Sequence, residues 1–286
     1  VVLAHDRPGF IANRIGSYWL QVAYNATVDL GLTIEEADAI GGRPMGVPKT
    51  GIFGLLDLVG IDLMPLLLKS FTSTLPEGDP YLATVRPLTL VEKMIAEGYT
   101  GRKGKGGFYR LNREAGKRKE AIDLATGDYR PAIKAEIPRA KLPQLVAMPG
   151  KAGAFAWTVL SQVLGYAASL VGEIADDIVA IDDAMKLGYN WKFGPFELID
   201  QLGAAGFAKR LAEEGKVVPA ILATAGDRSF YRVEGGKRQY LGTDGDYHDV
   251  VRPEGVLLLE DVKLASKPIL KNGSAAVSPV SSSPRR

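Results

Sequence analysis

The sequence contains no cysteine among its 286 residues. This absence excludes disulfide bonds, cysteine nucleophiles and thiolate metal sites, and it is consistent with the cytoplasmic location that we predict. No apolar run reaches the roughly 18 to 20 residues that a membrane-spanning helix requires, so we expect no membrane partner. Histidine is scarce too, because His5 and His248 are the only two imidazoles in the chain.

An excess of charge of either sign is also lacking. The formal net charge is +2, which gives no global argument for binding nucleic acid. A hydrophobic content of 46% over this length is enough to bury substantial cores, and it predicts two domains rather than one. The chain begins with valine instead of methionine, and residues 1–4 are typical of a strand that leaves a preceding domain. We therefore expect the chain to be a piece of a longer protein.

The stretch that organises the chain is the turn at Pro8-Gly9 and the long segment after it. Apolar residues recur there at helical spacing, which predicts a helix over residues 10–30. One face of this helix carries an apolar stripe formed by Ile11, Ile15, Tyr18, Val22 and Ala26. Asn13 lies on the opposite face, and two interpretations fit it. Either it faces a partner or pocket, or it bonds to nearby backbone, as Asn often does at helix starts.

Shorter helices follow in the first unit. Thr33 and Glu36 have the spacing of a capping box, which predicts the start of a second helix. Helical patterns return over residues 53–59, 61–68 and 88–96. A glycine-rich segment then closes the unit.

An internal comparison predicts that the same helical unit occurs twice. The aligned segments are 34–37 with 181–184 and 51–60 with 194–203. Asp57 therefore matches Asp200. Because each apolar helical layer needs a partner, we expect the two copies to pack against each other as an internal pseudo-dimer.

Composition divides the rest of the chain. We predict, in order, a helical domain over 1–110, a proline-punctuated connector over 111–150, a second helical repeat over 151–225, a β-hairpin extension over 226–271 and a disordered tail over 272–286. Residues 256–265 fit either a strand or a helix.

Three motifs together carry a family resemblance. They are Pro-Gly-Phe-Ile-Ala-Asn-Arg at residues 8–14, the glycines and apolar residues of 46–60, and the Gly-rich segment 101–109 that ends in Gly-Phe-Tyr. Over residues 8–109 the chain resembles the C-terminal helical domain of 3-hydroxyacyl-CoA dehydrogenases. The resemblance implies a mainly α fold of the kind found at the C-terminus of 6-phosphogluconate dehydrogenase. We expect this domain to be duplicated in tandem, with a small β-hairpin extension near the C-terminus.

The resemblance also implies an activity and a site residue. Members of the family oxidise 3-hydroxyacyl-CoA to 3-oxoacyl-CoA with NAD in fatty acid β-oxidation, and the asparagine after Pro-Gly-Phe lies in their active site. Asn13 is therefore the candidate catalytic residue, expected to orient either the acyl carbonyl of the substrate or the catalytic histidine. The second copy has Trp157 and Thr158 in this region and no asparagine, so we expect it to be a scaffold.

The rest of the catalytic machinery is expected outside this chain. In the family, the catalytic histidine belongs to the NAD-binding domain that precedes Pro-Gly-Phe. His5 is too close to Asn13 in sequence to be that residue, and His248 falls in the predicted hairpin, so we interpret both as ordinary surface or interface residues. No strand leads into a Gly-x-Gly-x-x-Gly helix start. We expect the full-length protein to use NAD, and this chain alone neither to bind it tightly nor to turn over substrate.

Two alternatives stay open. One is a non-catalytic helical interaction module. The other concerns the basic segment 102–119, which could attract the phosphates of coenzyme A or of RNA. Few aromatic residues are interleaved with its charges, which argues against RNA, and a solvated turn is a third interpretation of the same segment.

Overall fold

The computed structural model describes residues 1–114, 116–137, 140–252, 254–256, 258–265, 270–272 and 275–277. Helices dominate this part of the chain, as predicted. None of the described helices is both long and apolar enough to cross a bilayer.

The long helix α1 spans Ala12–Asp29. It begins two residues later than predicted because Phe10 has a left-handed backbone, with φ of 50°, which no α-helix accepts. The predicted apolar stripe is confirmed, since each of its five residues is no more than 4% exposed. Ser17 and Tyr24 on the opposite face are buried too. This helix therefore packs on both sides instead of presenting one side to solvent.

Four more helices complete the helical part of the first unit. They are α2 (Ile34–Ile40), α3 (Phe53–Val59), α4 (Leu63–Thr74) and α5 (Thr89–Ala96). The capping box that starts α2 is confirmed, because the Thr33 hydroxyl accepts from the Glu36 backbone N–H while the Glu36 carboxylate accepts from the Thr33 N–H. Helix α4 starts and ends later than the predicted segment 61–68.

The predicted connector contains an antiparallel sheet that the sequence analysis missed. Its strands are β1 (Tyr109–Asn112), β2 (Arg118–Ile122) and β3 (Tyr129–Pro131), in that order across the sheet. A tight turn with Lys117 at φ of 61° joins the first two strands. The exposed positions of these short strands hold Leu111 in β1, Arg118 and Lys119 in β2 and Pro131 in β3, so no regular apolar–polar alternation reveals them. These strands therefore form a sheet directly after the helices of the first unit.

Six further helices and a second three-stranded sheet follow. The helices of this second unit are α6 (Leu142–Val146), α7 (Lys151–Ser169), α8 (Ile178–Gly188), α9 (Pro195–Leu202), α10 (Ala204–Glu213) and α11 (Ala220–Ala225). The sheet β4 (Tyr231–Glu234), β5 (Lys237–Leu241) and β6 (Tyr247–Asp249) follows where a hairpin was predicted.

Only part of the C-terminal region belongs to the described residues. Helix α12 (Leu259–Ala265) is the helical alternative for 256–265. Strands β7 (Leu270–Asn272) and β8 (Ala275–Val277) pair with each other. Residues 278–286, most of the predicted disordered tail, lie outside the described residues.

The long helices of the two units contact each other. The rings of Tyr18 on α1 and Tyr166 on α7 have centroids 4.2 Å apart. Gly16 approaches α8 so closely that an added Cβ would lie 2.1 Å from Cζ of Tyr189. Trp19 packs edge-on against Trp191 at 5.3 Å. The core is thus continuous from one unit to the other.

Candidate functional site

The Pro8-Gly9-Phe10 turn sets the direction of the first helical side chains. The Phe10 N–H donates to the carbonyl of Arg7 over 2.9 Å, and the Arg14 N–H donates to the carbonyl of Gly9 over 3.2 Å. Gly9 has a φ of 77°, and a Cβ there would lie 2.8 Å from the Phe71 ring. Only glycine fits this position without strain. The turn therefore holds the start of α1 in one orientation.

Asn13 points away from the core. Its side chain is exposed and has no hydrogen-bond partner in the described part of the chain, so the interpretation in which it bonds to nearby backbone is wrong. Two exposed apolar side chains lie near this end of α1. Phe10 is 58% exposed, and Leu187, whose neighbour Gly188 lies against Ala12, is 73% exposed. The side-chain amide of Asn13 therefore has unengaged donors and an unengaged acceptor near exposed apolar side chains.

Arg14, the next residue, is fully buried and was missed by the sequence analysis. Its guanidinium donates to the Tyr166 hydroxyl, to Asp79 over 2.5 Å, and to Glu173 over 3.3 Å. It also donates to the carbonyl of Pro8 over 3.3 Å. One side chain thus joins the turn, α7 and the loop that follows α7.

The electrostatics of this cluster favour the charged arginine. Burial opposes the charge on Arg14, but the bond to Tyr166 and the carboxylate of Asp79 outweigh it, and the pKa of Arg14 is raised. Burial also raises the pKa of Tyr166 above its ordinary range, and that of Tyr18 to about 12. Both phenols therefore stay neutral near pH 7. The cluster is thus a network of buried hydrogen bonds around the residue that follows Asn13.

In the described part of the chain, neither His5 nor His248 forms a hydrogen bond with Asn13. Nδ1 of His5 lies 3.0 Å from the carbonyl oxygen of Glu173, and its Nε2 lies 2.8 Å from the Asp176 carboxylate. These two partners, the side chain first, raise the pKa of His5 above 6.5. His248 contacts Asp244 at the β5–β6 turn. The interpretation of both as surface or interface residues agrees with this placement.

The glycine-rich segment 101–107 serves the fold. The Asp57 carboxylate accepts the N–H of Phe108 over 2.7 Å and of Tyr109 over 2.8 Å. A Cβ on Gly107 would lie 2.0 Å from that carboxylate, and a Cβ on Gly101 would lie 2.5 Å from the Asp57 carbonyl oxygen. The glycines are therefore needed to let Asp57 reach the start of β1. The described sheets are all antiparallel, so these glycines do not follow a strand of a parallel sheet.

The same arrangement occurs in the second unit. The Asp200 carboxylate accepts the N–H of Phe230 over 2.6 Å and of Tyr231 over 2.8 Å. This geometry agrees with the predicted match between Asp57 and Asp200.

The match predicted for α2 and α8 is wrong by about one helical turn. Asp38 accepts the N–H of Phe53 over 2.7 Å, and Asp182 accepts the N–H of Phe196 over 2.8 Å. These two aspartates hold the same place, whereas the alignment paired Glu35 with Asp182. The three-residue difference escaped the sequence analysis because it keeps apolar residues on the same helix face.

The basic segment 102–119 separates into paired and unpaired charges. Lys103 pairs with Asp62 over 2.7 Å, and Arg110 pairs with Glu120 over 2.7 Å. Arg102 and Lys119 instead line an open groove of about 770 Å³ beside Asp38 and Asp57. Two of the eight basic residues in this segment are thus held in ion pairs, and two line the groove.

Helices followed by small antiparallel sheets define the class of the protein as a mainly α domain. Residues 9–111 and 153–231 match the family model for the 3-hydroxyacyl-CoA dehydrogenase C-terminal domain, and the chain belongs to this family.

Curated relatives agree with the family. The chain is 39% identical over 200 residues to a putative fatty acid oxidation complex trifunctional enzyme of Rickettsia prowazekii, covering 70% of this chain and 28% of that protein. It is 34% identical over 291 residues to a probable 3-hydroxyacyl-CoA dehydrogenase of Bacillus subtilis, covering 97% of this chain and 36% of that protein. The chain thus spans about a third of the length of these relatives.

A solved structure supports the fold. The crystal structure of 3-hydroxybutyryl-CoA dehydrogenase from Escherichia coli matches with a TM-score of 0.50 at 20% identity. The match covers 78% of this chain and 60% of that one.

Proposed function

We propose that this chain is the substrate-side and assembly part of an NAD-dependent 3-hydroxyacyl-CoA dehydrogenase. The observation that carries the proposal is the free amide of Asn13, held outward at the start of α1 in a chain of this family. NAD and the catalytic histidine would belong to a separate nucleotide-binding domain, since the described residues here offer no dinucleotide fold. The exposed Phe10 and Leu187 beside Asn13 are suited to contact that domain.

The chemistry assigns Asn13 a positioning task. Oxidation of a 3-hydroxyl group removes a proton and a hydride and leaves a carbonyl, whose developing charge is stabilised by hydrogen-bond donors. An amide N–H can donate to the acyl carbonyl or hold the catalytic histidine, and it does so without changing its own charge. Either role requires an unengaged amide at a rigid helix start. Asn13 meets both conditions, because Arg14 anchors the same turn.

We further propose that the chain arose by tandem duplication and that its units pair as a pseudo-dimer. Support comes from the equivalent carboxylate contacts of Asp57 and Asp200, and from the direct contact of α1 with α7. Each unit would then comprise its helices and the sheet that follows them. The second unit has Trp157 near the position of Asn13, and Trp157 is engaged with Glu214, so a scaffold role fits it.

Replacement of Asn13 tests the catalytic proposal. In the enzyme that carries this chain together with its nucleotide-binding domain, Asn13→Ala should lower turnover of a 3-hydroxyacyl-CoA by about tenfold to a thousandfold. The matched control is Gln201→Ala, which removes an exposed amide from α9 and should leave turnover unchanged. Unchanged turnover in Asn13→Ala would remove Asn13 from the site.

A titration separates this proposal from that of a self-sufficient enzyme. Calorimetry of the 286-residue chain with NAD should give no saturable binding below millimolar concentrations, because no described element cradles a pyrophosphate. Micromolar affinity would contradict the proposal. The alternative, a non-catalytic interaction module, predicts instead that Asn13→Ala is silent.

A further inference from the structure

The open groove beside Asp38 and Asp57 carries an excess of positive charge. Five cationic side chains line it, against three carboxylates, of which Glu35 pairs with Arg130 over 2.8 Å. The cations are Arg43, Lys49, Arg102, Lys119 and Lys134. Lys134 binds Glu136 over 2.6 Å, whereas the other four have no carboxylate within ion-pair distance in the described part of the chain. Cations that have no carboxylate partner in a concave surface raise the local concentration of anions.

The two aspartates of the groove are occupied by backbone donors. Asp38 accepts the N–H groups of Ile52 and Phe53, each over 2.7 Å, and the hydroxyl of Tyr109 over 2.9 Å. Asp57 accepts two N–H groups at the start of β1. Burial raises the pKa of each aspartate to about 6. The oxygens of both aspartates accept hydrogen bonds, and among the described residues neither carboxylate forms an ion pair with a cation of the groove.

In the second unit, a carboxylate pairs with the cations at the corresponding place. Arg238 lies over the Tyr231 ring at 4.2 Å, as Lys119 lies over the Tyr109 ring at 4.1 Å. Arg238 donates to Glu197 over 2.5 Å, and Lys186 contacts the same carboxylate over 3.3 Å. An internal carboxylate thus satisfies the cations of the second unit.

Glycine at position 54 leaves the first groove without that carboxylate. Gly54 follows Phe53, which Asp38 contacts, in the way that Glu197 follows Phe196, which Asp182 contacts. Glycine at position 54 has no side chain with which to pair with Lys119. The absence of a carboxylate at position 54 therefore explains why the groove is open and cationic.

We propose that this groove binds a nucleotide whose ribose carries phosphates at both the 3′ and the 5′ position, which NAD does not. Its volume of about 770 Å³ is far larger than a single inorganic anion needs and lies within the usual range of small-ligand sites. Ala39, Pro44 and Ile133 give it apolar wall beside the cations, which suits a base next to phosphates. The Tyr109 ring is covered by Lys119, so no free aromatic platform invites a single strand of RNA.

Calorimetric titration of the 286-residue chain at low salt tests the proposal. The probes are adenosine 3′,5′-bisphosphate, coenzyme A, inorganic phosphate and a single-stranded RNA oligomer. The bisphosphate and coenzyme A should bind saturably, and inorganic phosphate more weakly. Similar affinities for the first two would identify the nucleotide end of coenzyme A as a source, whereas preference for the bisphosphate would indicate a free nucleotide.

The decisive variant is Gly54→Glu, which restores the carboxylate of the second unit. A Cβ at position 54 meets only ordinary contacts, the nearest at 3.6 Å, and glutamate favours a helix more than glycine does, so the variant should fold. It should weaken bisphosphate binding by about tenfold or more, equivalent to about 1.4 kcal/mol. Lys117→Asn is the charge-matched control outside the groove, at a left-handed position that asparagine tolerates, and should bind normally.

Four outcomes would overturn the proposal. They are no binding of the bisphosphate at low salt, equal losses in Gly54→Glu and Lys117→Asn, binding of coenzyme A without the bisphosphate, and RNA binding that is tighter and insensitive to Gly54→Glu. None of them bears on Asn13, so this test and that of the dehydrogenase proposal fail separately.

Discussion

Asn13 and Arg14 are neighbours with opposite surroundings. Asn13 is exposed, whereas Arg14 is fully buried and bonded to Asp79, Tyr166 and Glu173. From the sequence alone Asn13 is a candidate site residue, because its amide can donate and accept hydrogen bonds. The sequence does not reveal the arginine, because arginine is almost never fully buried unless distant partners meet it.

Removal of Arg14 should be severely destabilising. Arg14→Ala leaves Asp79 buried without its cation, which costs about 3 to 5 kcal/mol of the free energy of unfolding. Arg113→Ala, which removes an exposed arginine, should change it by no more than about 0.5 kcal/mol. Urea unfolding of both variants provides the measurement. Equal stability of the two variants would show that the cluster does not support the turn.

His5 should titrate above its ordinary pKa. Both of its neighbours, the Glu173 carbonyl and the Asp176 carboxylate, are acceptors, so both ring nitrogens donate only in the charged imidazolium. The folded state thus binds this proton more tightly than the unfolded state. Its stabilising contribution is fully present below the unfolded pKa of 6.5 and is lost as pH rises through the folded pKa.

Proton NMR can follow this titration, because the chain has two histidines and His5→Gln assigns the resonance. The His5 midpoint should lie above 6.5. Asp176→Asn should move it down, since the largest cause of the shift is then removed. A midpoint at or below 6.5 in the unaltered chain would contradict the contacts described.

At the scale of elements, helices were predicted well and sheets poorly. Periodicity identified α1 and α3 because tertiary packing buries the same stripe that the sequence displays. Strands β1 and β2 hold Leu111, Arg118 and Lys119 at their exposed positions, which is no regular alternation. The start of β1 also depends on the Asp57 carboxylate, which belongs to a distant helix. No local pattern contains that information.

Reciprocal variants should uncouple one sheet at a time. Asp57→Ala leaves the N–H groups of Phe108 and Tyr109 without their acceptor, at about 1 to 3 kcal/mol for each buried group. Hydrogen exchange should accelerate in β1–β3 and stay slow in β4–β6. Asp200→Ala should give the opposite pattern. Acceleration in both sheets from either variant would mean that the two contacts are not equivalent local clamps.

At the scale of the molecule, the interface between α1 and the second unit should make unfolding cooperative. Trp19 and Trp191 lie at this interface, so their fluorescence reports on it directly. We expect the fluorescence and far-UV circular dichroism transitions in urea to coincide, because neither unit keeps a complete core alone. Separate transitions would show two independent units.

A pair of glycine variants tests the same interface. Gly16→Ala places a Cβ 2.1 Å from Cζ of Tyr189, so overpacking should cost about 1 to 3 kcal/mol. Gly165→Ala on α7 meets nothing within 4 Å and should instead stabilise by up to about 1 kcal/mol through helix propensity. Opposite shifts in the urea midpoint are expected. Shifts of the same sign would contradict the close approach of α1 to α8.

The sequence by itself determined the helical class, the family resemblance, the buried stripe of α1 and the correspondence of Asp57 with Asp200. These features depend on residues close together in the chain, whose periodicity and turn chemistry are visible locally. Only the tertiary structure decided three features. They are the burial of Arg14, the correspondence of Asp182 with Asp38, and the opening of the groove beside Gly54. Each of these depends on which distant side chains meet, because burial, charge pairing and desolvation are properties of the assembled surroundings.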